Sequence, residues 1–299
     1  METSVKEKII KDNIYGQKFR KMRVAHHINL VDAAKGITNK STLAEWEKGK
    51  DNLSWCKVIA LLFNIHIQPI EFLEDTVSSH LYFSIQDITN AYGTNDIEQL
   101  KVISLKYLKQ SQNEPLNKDL LLKAAMACNF YEDLTGKDIF PSLTSEKLVM
   151  YFSNVVNNDN CWYYKNIFYF NSVTQLLIPT HLYGFSLKLL EYVKKEKIDS
   201  KIWYDLSLNA LLNAVFSLIK KDLQKAENLL EKLDTLEIMD LYAEETIREK
   251  FMNSLICYAK NIDSTEMINL FKYLDFLGLK KMKSDFQVVF TQIAEIYDR

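Results

Sequence analysis

The sequence predicts an all-α protein, and three observations support this fold class. Glycine and proline are rare, with 7 and 4 residues among 299, which disfavours a turn-rich β protein. Apolar residues recur three and four positions apart through most of the chain, which is the spacing of an amphipathic helix. Short polar segments such as 93–96 (GTND) and 220–222 (KKD) separate these stretches. The chain is therefore expected to form helices nearly throughout, within one large or two ordinary domains.

The segment 38–49 (TNKSTLAEWEKG) is predicted to form one short helix with both of its ends marked. Asn39 can cap the N-terminus, and Gly49 can adopt the left-handed conformation that ends a helix. Leu43 and Trp46 lie three positions apart and are expected to face inward. The residues expected to face outward are Lys40, Ser41, Thr42 and Glu45. A helix with small polar residues on its outer first turn suits insertion into the DNA major groove.

The flanking segments complete a set of five predicted helices. They are a basic amphipathic helix at 14–25, a short helix capped by Asn29, a helix capped by Ser54, and a helix that begins near Pro69. The second and third helices are joined by a turn. The sequence therefore predicts a helix-turn-helix DNA-binding domain over residues 1–74, which we call the head.

The charge is divided unevenly along the chain. Residues 1–70 hold twelve Lys and Arg residues against seven Asp and Glu residues, a net charge of +5. The remaining residues hold 25 basic and 32 acidic side chains, a net charge of −7. A positive head on an acidic body is typical of a DNA-binding protein whose body has another role. Because five charges are a modest excess, we expect two heads to act together.

Residues 75–299, which we call the tail, are predicted to be a helical repeat domain. Its predicted helices are 78–92, 96–111, 118–134, 144–157, 161–178, 181–195, 200–220, 222–236, 241–260, 264–277 and 282–298. The first helices of successive pairs begin about forty residues apart, between the tetratricopeptide and HEAT periods. One helix pair cannot bury its own apolar side, so stacking is expected to give an α-solenoid of degenerate tetratricopeptide-like hairpins. The last helix is expected to cap the stack or to pair with a second subunit.

An asparagine recurs in the tail at steps of 42, 42 and 40 residues: Asn129, Asn171, Asn213 and Asn253. Each is predicted to lie in the middle of the first helix of its pair, so all four can face one concave groove. An asparagine side chain carries both a donor and an acceptor, and it can pair with the N–H and C=O groups of an extended peptide. The row therefore predicts a peptide-binding groove.

Further residues extend this predicted groove. Asn209 lies one turn before Asn213. Gln175 lies one turn after Asn171, and both additional side chains can continue the row. The large apolar residues expected to form pockets for a hydrophobic ligand are Phe130, Phe168, Phe216 and Met252. Two other interpretations stay open: the asparagines face solvent or bond between helices, and their spacing arises by chance.

The sequence carries no motif for catalysis, metal binding or a cofactor, so an enzyme is not expected. The acidic pairs Glu45/Glu47 and Glu244/Glu245 lack a partner in a shared motif and are expected to be surface charge. The aromatic run at 162–170 is expected to be core or groove wall rather than a platform for nucleobases. The four cysteines, Cys56, Cys128, Cys161 and Cys257, lack ligand spacing and are expected to be reduced packing residues.

The N-terminus is charged from Glu2 onward, without the apolar segment of a signal peptide. We also identify no apolar run near the ~20 residues that a membrane span requires. These two observations predict a cytoplasmic protein without a membrane partner.

The whole architecture resembles the Rgg-type transcription regulators of Gram-positive bacteria, within the group of peptide-pheromone receptors. These proteins pair an N-terminal helix-turn-helix of the xenobiotic-response-element (XRE) type with a C-terminal repeat domain. The resemblance covers the full length and is most specific in the head. The residues that carry it are Gln17, Phe19-Arg20, Arg23, the segments 39–43 (NKSTL) and 46–49 (WEKG), Leu53-Ser54, Leu61-Leu62 and 70–72 (IEF).

This resemblance implies a homodimer that binds promoter DNA and takes up a short hydrophobic signalling peptide in its repeat groove. The residues expected to contact bases and phosphates are Gln17, Lys40, Ser41, Thr42 and Glu45, with His27 and Asn29 on the backbone side. A peptide that prefers one curvature of the solenoid is expected to shift the spacing of the two heads.

The chain departs from the family pattern at two places. Family members commonly carry arginine where this chain has Glu45, and an acid there repels phosphate and favours the cytosine N4 donor over guanine. Some relatives have a cysteine that joins two subunits; here Trp55 occupies that place and Cys56 follows it, so no covalent link is expected. The alternative function is an interaction adaptor whose head no longer reads DNA.

Overall fold

The computed structural model describes residues 14–158, 160, 162–196, 201–236 and 242–298, and for residues 74–83 and 196 it describes the backbone alone. Over these ranges the chain forms fifteen α-helices and one short 3-10 helix, without a strand. Internal contacts divide the chain into two compact units, Met1–Gln86 and Asp87–Arg299. The protein is thus all-α, as the scarcity of glycine and proline predicts.

The first unit encloses a small apolar core. Its helices are α1 (Ile14–Ala25), α2 (Leu30–Ala34), α3 (Lys40–Glu47), α4 (Trp55–Asn64) and the start of α5 (Pro69–Gly93). Phe19, Leu43 and Phe72 are fully buried, and the Phe19 ring lies 5.2 Å from the Trp46 ring. Each such side chain stabilises the fold by about 1.5–3 kcal/mol. The five predicted helices are present, with α2 and α3 joined by a turn.

The helix ends show which of the predicted caps form. The Asn39 Oδ1 atom accepts a hydrogen bond from the Thr42 backbone N–H at 2.7 Å, and Gly49 has the left-handed φ of 77°. Asn29 caps α2 by accepting from the N–H groups of Val31 and Asp32, both at 2.9 Å. Ser54 occupies the N-cap position of α4, but its hydroxyl makes no capping bond, so the prediction for Ser54 is wrong in that respect.

The prediction that Glu47 is a surface charge is wrong. Glu47 and Arg23 are both buried and form a two-pronged ion pair, with Nε–Oε1 at 2.6 Å and Nη2–Oε2 at 2.8 Å. The Arg23 Nη1 atom also donates to the Ile28 carbonyl at 2.6 Å. Burial is possible because each charge is paired and hydrogen-bonded. This contact ties α1 to the end of α3 and to the chain that follows α1.

Two predicted helices are in fact one. The helix expected near Pro69 and the one expected at 78–92 form the single helix α5, which runs through Ser79 without a break. Serine is only a moderately poor helix former, so a pair of serines does not interrupt a helix that continues on both sides.

The second unit is built from consecutive helices. They are the end of α5, α6 (Ile97–Asn113), α7 (Lys118–Thr135), α8 (Ser142–Asn157), α9 (Tyr164–Asn171), a 3-10 helix (Thr174–Leu176), α10 (Pro179–Glu196), α11 (Lys201–Lys221), α12 (Leu223–Leu233), α13 (Ala243–Asn261), α14 (Thr265–Phe276) and α15 (Lys280–Tyr297).

These helices stack as pairs, as the forty-residue step predicts. The first helices α9, α11 and α13 pack in series, and the second helices α8, α10 and α12 pack beside one another. This arrangement is an α-solenoid, in which each pair covers the apolar side of the next. At its C-terminal end α15 packs on α13, where the rings of Phe286 and Phe251 stack with centroids 3.9 Å apart. The last helix therefore caps the stack.

The helix predicted at 161–178 is broken. α9 ends at Asn171, a 3-10 helix follows, and Pro179 begins α10. The Ser172 hydroxyl bonds back to the Phe168 carbonyl at 2.9 Å, a local bond that competes with helix continuation. Residue 178 also precedes proline, which disfavours helical backbone there. Asn171 is therefore the last residue of its helix and not a mid-helix residue as predicted.

α11 is the central helix of the second unit. It is long enough and apolar enough to span a membrane by composition, with a mean hydropathy of 1.4 over eighteen residues, which corrects the expectation that no such run exists. In the structure 56% of that eighteen-residue stretch is buried, and α11 packs against α9, α10, α12 and α13. α11 is thus a core helix whose apolar character is satisfied by its neighbours.

The aromatic run at 162–170 and the cysteines are the remaining groups for which the sequence predicts a place. In the aromatic run, Trp162, Tyr169 and Phe170 are buried core residues, whereas Tyr163 and Tyr164 are exposed. Cys128 is buried, Cys257 is half-buried and Cys56 is exposed, each as a free thiol. Cys161 lies outside the described residues.

Candidate functional site

The outer surface of α3 carries the polar residues expected to contact DNA. Lys40 and Ser41 are exposed and Thr42 is half-buried, whereas Leu43 and Trp46 on the opposite side are enclosed. The Ser41 hydroxyl donates to Asn39 Oδ1 at 2.7 Å, the same atom that caps the helix. The first turn of α3 is thus a fixed polar surface on a helix anchored by its apolar side.

Glu45 lies on the same helix and is half-buried. Its carboxylate accepts a hydrogen bond from Lys48 Nζ at 2.7 Å, and this bond holds the pKa of Glu45 below its usual value. The acid is therefore ionised beside a cation, which reduces its repulsion of phosphate.

The remaining predicted DNA contacts lie elsewhere in the first unit. Gln17 is exposed on α1, next to the place where α1 crosses the end of α3. His27 and Asn29 are exposed between α1 and α2, and His27 has a left-handed φ of 56°. The Asn29 amide donates to Asp32 at 2.6 Å while its oxygen caps α2, so this side chain is held in place by the turn.

The second unit contains a groove with a volume of about 880 Å³. Its walls come from the end of α5, α7, α9, the 3-10 helix, α11, α13 and α15. The predicted amide residues that line it are Asn129, Asn171, Gln175 and Asn213, and the predicted apolar residues that line it are Phe130, Phe216 and Met252. The structure thus brings seven of the predicted residues together around one opening.

Three predicted residues lie away from this groove lining. Asn253 donates to the Glu249 carbonyl of its own helix at 3.3 Å, and Asn209 contacts neighbouring helix residues instead of the opening. The Phe168 ring packs edge-on against Tyr169 with centroids 5.4 Å apart. The steps of 42, 42 and 40 residues match the repeat, but Asn253, which follows the shorter step, bonds within its own helix.

The amides that line the groove are also bonded to one another. Asn213 Nδ2 donates to Asn171 Oδ1 at 2.8 Å, which links α11 to α9. Asn129 is buried, and its Oδ1 accepts from the Gln175 backbone N–H at 2.9 Å. The interpretation that these side chains bond between helical segments therefore describes Asn129, Asn171 and Asn213. An amide has further donor and acceptor capacity, so contact with a peptide stays a prediction.

Asp133 and Tyr92 also line the groove, although they are not among the residues predicted to do so. Asp133 accepts from Tyr92 OH at 2.6 Å and from Gln175 Nε2 at 2.8 Å. Burial and the adjacent carboxylate raise the pKa of the Tyr92 phenol, which therefore stays a neutral donor. Asp133 lies one turn after Asn129, which is the only sequence signal that places it on the same face.

Arg248, on α13, is a further lining residue that the sequence does not indicate. Its Nη2 atom donates to Asn213 Oδ1 at 2.8 Å, and its Nη1 atom donates to Asn209 Oδ1. Asn209 in turn donates to Glu245 at 3.1 Å. Glu245 is buried, so its predicted place on the surface is wrong, whereas Glu244 is exposed. Burial lowers the pKa of Arg248 from its ordinary value. The side chain is half-buried and lies at the groove wall.

Solved structures share this fold over almost the whole chain. The SHP pheromone receptor Rgg2 of Streptococcus dysgalactiae has a TM-score of 0.69 at 15% identity, over 93% of this chain and 99% of that one. A candidate transcriptional regulator from Listeria monocytogenes has a TM-score of 0.71 at 16% identity, over 94% and 97%. PrgX in its cCF10 complex has a TM-score of 0.62 at 14% identity, over 94% and 92%.

No protein-family model and no curated protein matches the sequence. At such low identities the likeness to solved structures establishes the fold, and the chain has the fold of Rgg2 and PrgX. The resemblance to Rgg-type proteins is confirmed at this level.

Proposed function

We propose that the protein is a cytoplasmic, homodimeric, sequence-specific transcription regulator controlled by a short hydrophobic signalling peptide. In this proposal residues 1–74 bind promoter DNA, and residues 75–299 bind the peptide and dimerise. The observation that carries it is the groove lined by amide side chains of successive inner helices, in a fold shared with a pheromone receptor. The fold relatives are a receptor and transcription regulators, and we propose no catalytic activity for this chain.

The DNA-binding part of the proposal rests on α3. Its exposed first turn carries Lys40 and Ser41, and its inner side is locked by Leu43 and Trp46. A helix fixed in this way can enter the major groove with its N-terminal residues against base edges. Gln17, Thr42 and Glu45 are proposed as further contacts on this surface, with His27 and Asn29 at the DNA backbone.

We predict that DNA binding depends steeply on salt and that Lys40 contributes one phosphate contact. Duplexes enriched from a random-sequence pool on the parent protein serve as the probe, with fluorescence anisotropy measured over a series of salt concentrations. The Lys40→Gln variant is expected to weaken binding and to reduce the log–log salt slope by about 1. Lys272→Gln makes the same change of charge at an exposed residue of α14, and this variant is expected to retain the parent slope.

A salt-independent or undetectable interaction with every duplex would contradict the DNA-binding role. The adaptor alternative, in which the head no longer reads DNA, would then be favoured. Equal slopes for Lys40→Gln and the parent would contradict only the assignment of Lys40.

The peptide-binding part of the proposal rests on the groove. Asn171 and Asn213 offer amide groups to the main chain of an extended ligand, and Phe130, Phe216 and Met252 offer apolar surface. Such a mixture of mostly apolar walls and a few fixed polar groups is typical of ligand sites. A bound peptide can change DNA binding only to the extent that its free energy of binding differs between two conformations of the protein.

We predict that Asn171→Ala and Asn213→Ala each weaken peptide binding about tenfold, the loss expected for a hydrogen bond to the ligand main chain. The probe is a pool of synthetic heptapeptides rich in Leu, Ile, Val and Phe, scored by the rise in Tm of the full chain. Asn228→Ala, on α12 outside the groove lining, is the matched control and should behave as the parent. If both groove variants stay folded and bind like the parent, the asparagines do not contact the ligand.

A further inference from the structure

Arg248 is a charged residue of the groove wall whose two hydrogen-bond partners are neutral amides, while the carboxylates of Glu244 and Glu245 act on it from beyond ion-pair distance. Its two terminal nitrogens donate to the amide oxygens of Asn209 and Asn213. The ion pairs found among the described residues do not include Arg248. The acids nearest in sequence do not form such a pair: Glu245 accepts from Asn209, and Glu244 is exposed.

A cation in this position carries a desolvation cost. Burial removes water from the guanidinium, and a neutral amide compensates the lost hydration less well than a carboxylate does. The lowered pKa of Arg248 has the same cause, burial, which outweighs the opposite effect of the Glu244 and Glu245 carboxylates. A ligand that brings an anion to this wall would recover that free energy.

The geometry at Arg248 suits a carboxylate in particular. A guanidinium has five donors in a planar fork, and it binds a carboxylate through two parallel hydrogen bonds. The two asparagines fix the fork in one orientation before a ligand arrives. Val288 and Val289 of α15 also line the groove, and the exposed Val288 offers apolar surface to a residue next to the carboxylate.

Lys281 also lines the groove and is a less suitable anchor. Its side chain is exposed, and its Nζ atom already lies 2.9 Å from Asp285 on the same helix. An exposed pair of this kind contributes little and is not preorganised.

We propose that Arg248 binds a carboxylate of the groove's peptide ligand, either its C-terminal carboxylate or an Asp or Glu side chain. This inference rests on the proposed function, because it specifies the chemistry of the peptide at one position of the same groove. The ligand is thereby anchored on α13, with the remainder of the peptide extending along α11 and α9 toward α7.

The test uses the full chain and three pools of hydrophobic heptapeptides: free acids without Asp or Glu, the same sequences as C-terminal amides, and amides that contain one Asp. Binding is measured by Tm shift and by titration calorimetry of the best binders. The parent is expected to bind at least one carboxylate-bearing pool about tenfold or more tightly than the plain amides. Preference for free acids identifies the C-terminus, and preference for Asp-containing amides identifies a side chain.

Variants separate the role of Arg248 from general damage. Arg248→Gln is expected to bind acids and amides equally, and Arg248→Lys to retain part of the preference, because it keeps the charge and loses the fork. Lys250→Gln, at an exposed position of the same helix outside the groove lining, is the matched control and should keep the full preference. Far-UV circular dichroism checks that each variant is folded, and the comparison of acids with amides on the parent needs no variant.

Each contrary outcome has a distinct meaning. Equal binding of acids and amides by the parent would overturn the carboxylate site and leave the peptide groove intact. A preference for carboxylates that survives in Arg248→Gln would overturn the assignment to Arg248. Failure of every pool to bind the parent would contradict the proposed peptide groove, and the carboxylate site with it.

Discussion

Replacing Gly16 by alanine is expected to unfold the first unit and to leave the second unit folded. A Cβ atom on Gly16 would lie 2.0 Å from the Trp46 carbonyl oxygen and 2.8 Å from its carbonyl carbon. These are backbone atoms at the end of α3, so no side-chain rotation relieves the clash. Extra atoms in a packed core usually cost about 1–3 kcal/mol, and we expect more than about 3 kcal/mol here because α1 must move away from α3.

Hydrogen exchange with mass spectrometry on the full chain can assign this loss to one unit. Amides of α1 and α3 are expected to lose protection in Gly16→Ala, whereas those of α11 and α13 stay protected. Gly184→Ala is the matched control, since Gly184 lies within α10 and a Cβ there meets no atom within 4 Å. That change should leave stability unchanged or raise it by about 0.5–1 kcal/mol, the helical preference for alanine. Parent-like protection in Gly16→Ala would show that the helices do not cross as closely as described.

Removing the carboxylate of Glu47 is expected to be the second most damaging change. Glu47→Ala leaves the Arg23 guanidinium buried without its partner, a situation that typically costs about 3–5 kcal/mol. The contact also positions the chain after α1, because Arg23 bonds the Ile28 carbonyl at 2.6 Å. We therefore expect urea denaturation to show a strongly destabilised first unit. Fluorescence anisotropy is expected to show a loss of DNA binding.

A double substitution distinguishes an unpaired charge from lost packing. Arg23→Met combined with Glu47→Leu removes both charges, and it should recover much of the stability lost in Glu47→Ala. Glu45→Gln on the same helix is the control, because Glu45 is paired only with exposed Lys48 and should change stability little. A Glu47→Ala protein as stable as the parent would mean that the pair contributes nothing to the fold.

The elements of the first unit were predictable because their ends carry local chemistry. Asn29, Asn39 and Gly49 act within four residues of their own positions, so the sequence contains the whole interaction. Glu47 was predicted wrongly because its charge favours the surface, whereas its position in the helix favours the core. It shares the inward face of Leu43 and Trp46, yet a carboxylate is buried only when a partner exists. That partner, Arg23, is 24 residues away on another helix.

The groove was predictable in part, from the repeat period of the tail. The repeat period placed Asn129 and Asn213 on the inner helices, and both line the opening. It gave no information on helix ends or on bonds within a helix: Asn171 lies at a terminus, and Asn253 bonds to the Glu249 carbonyl of its own helix. The role of Arg248 depends on oxygens that lie 35 and 39 residues earlier in the chain. Periodicity predicts faces, whereas such contacts require the packing of two helices, α11 and α13.

The apolar character of α11 has a consequence for the synthesis of the protein. Two of the helices that cover it, α12 and α13, lie later in the chain and end at Asn261. A ribosome therefore releases a segment with the length and hydropathy of a membrane span before α12 and α13, two of the four helices that cover it, exist. Until α13 has emerged, the nascent chain exposes an aggregation-prone surface that chaperones would recognise. α11, a core helix of the folded solenoid, is therefore also an aggregation-prone segment of the nascent chain.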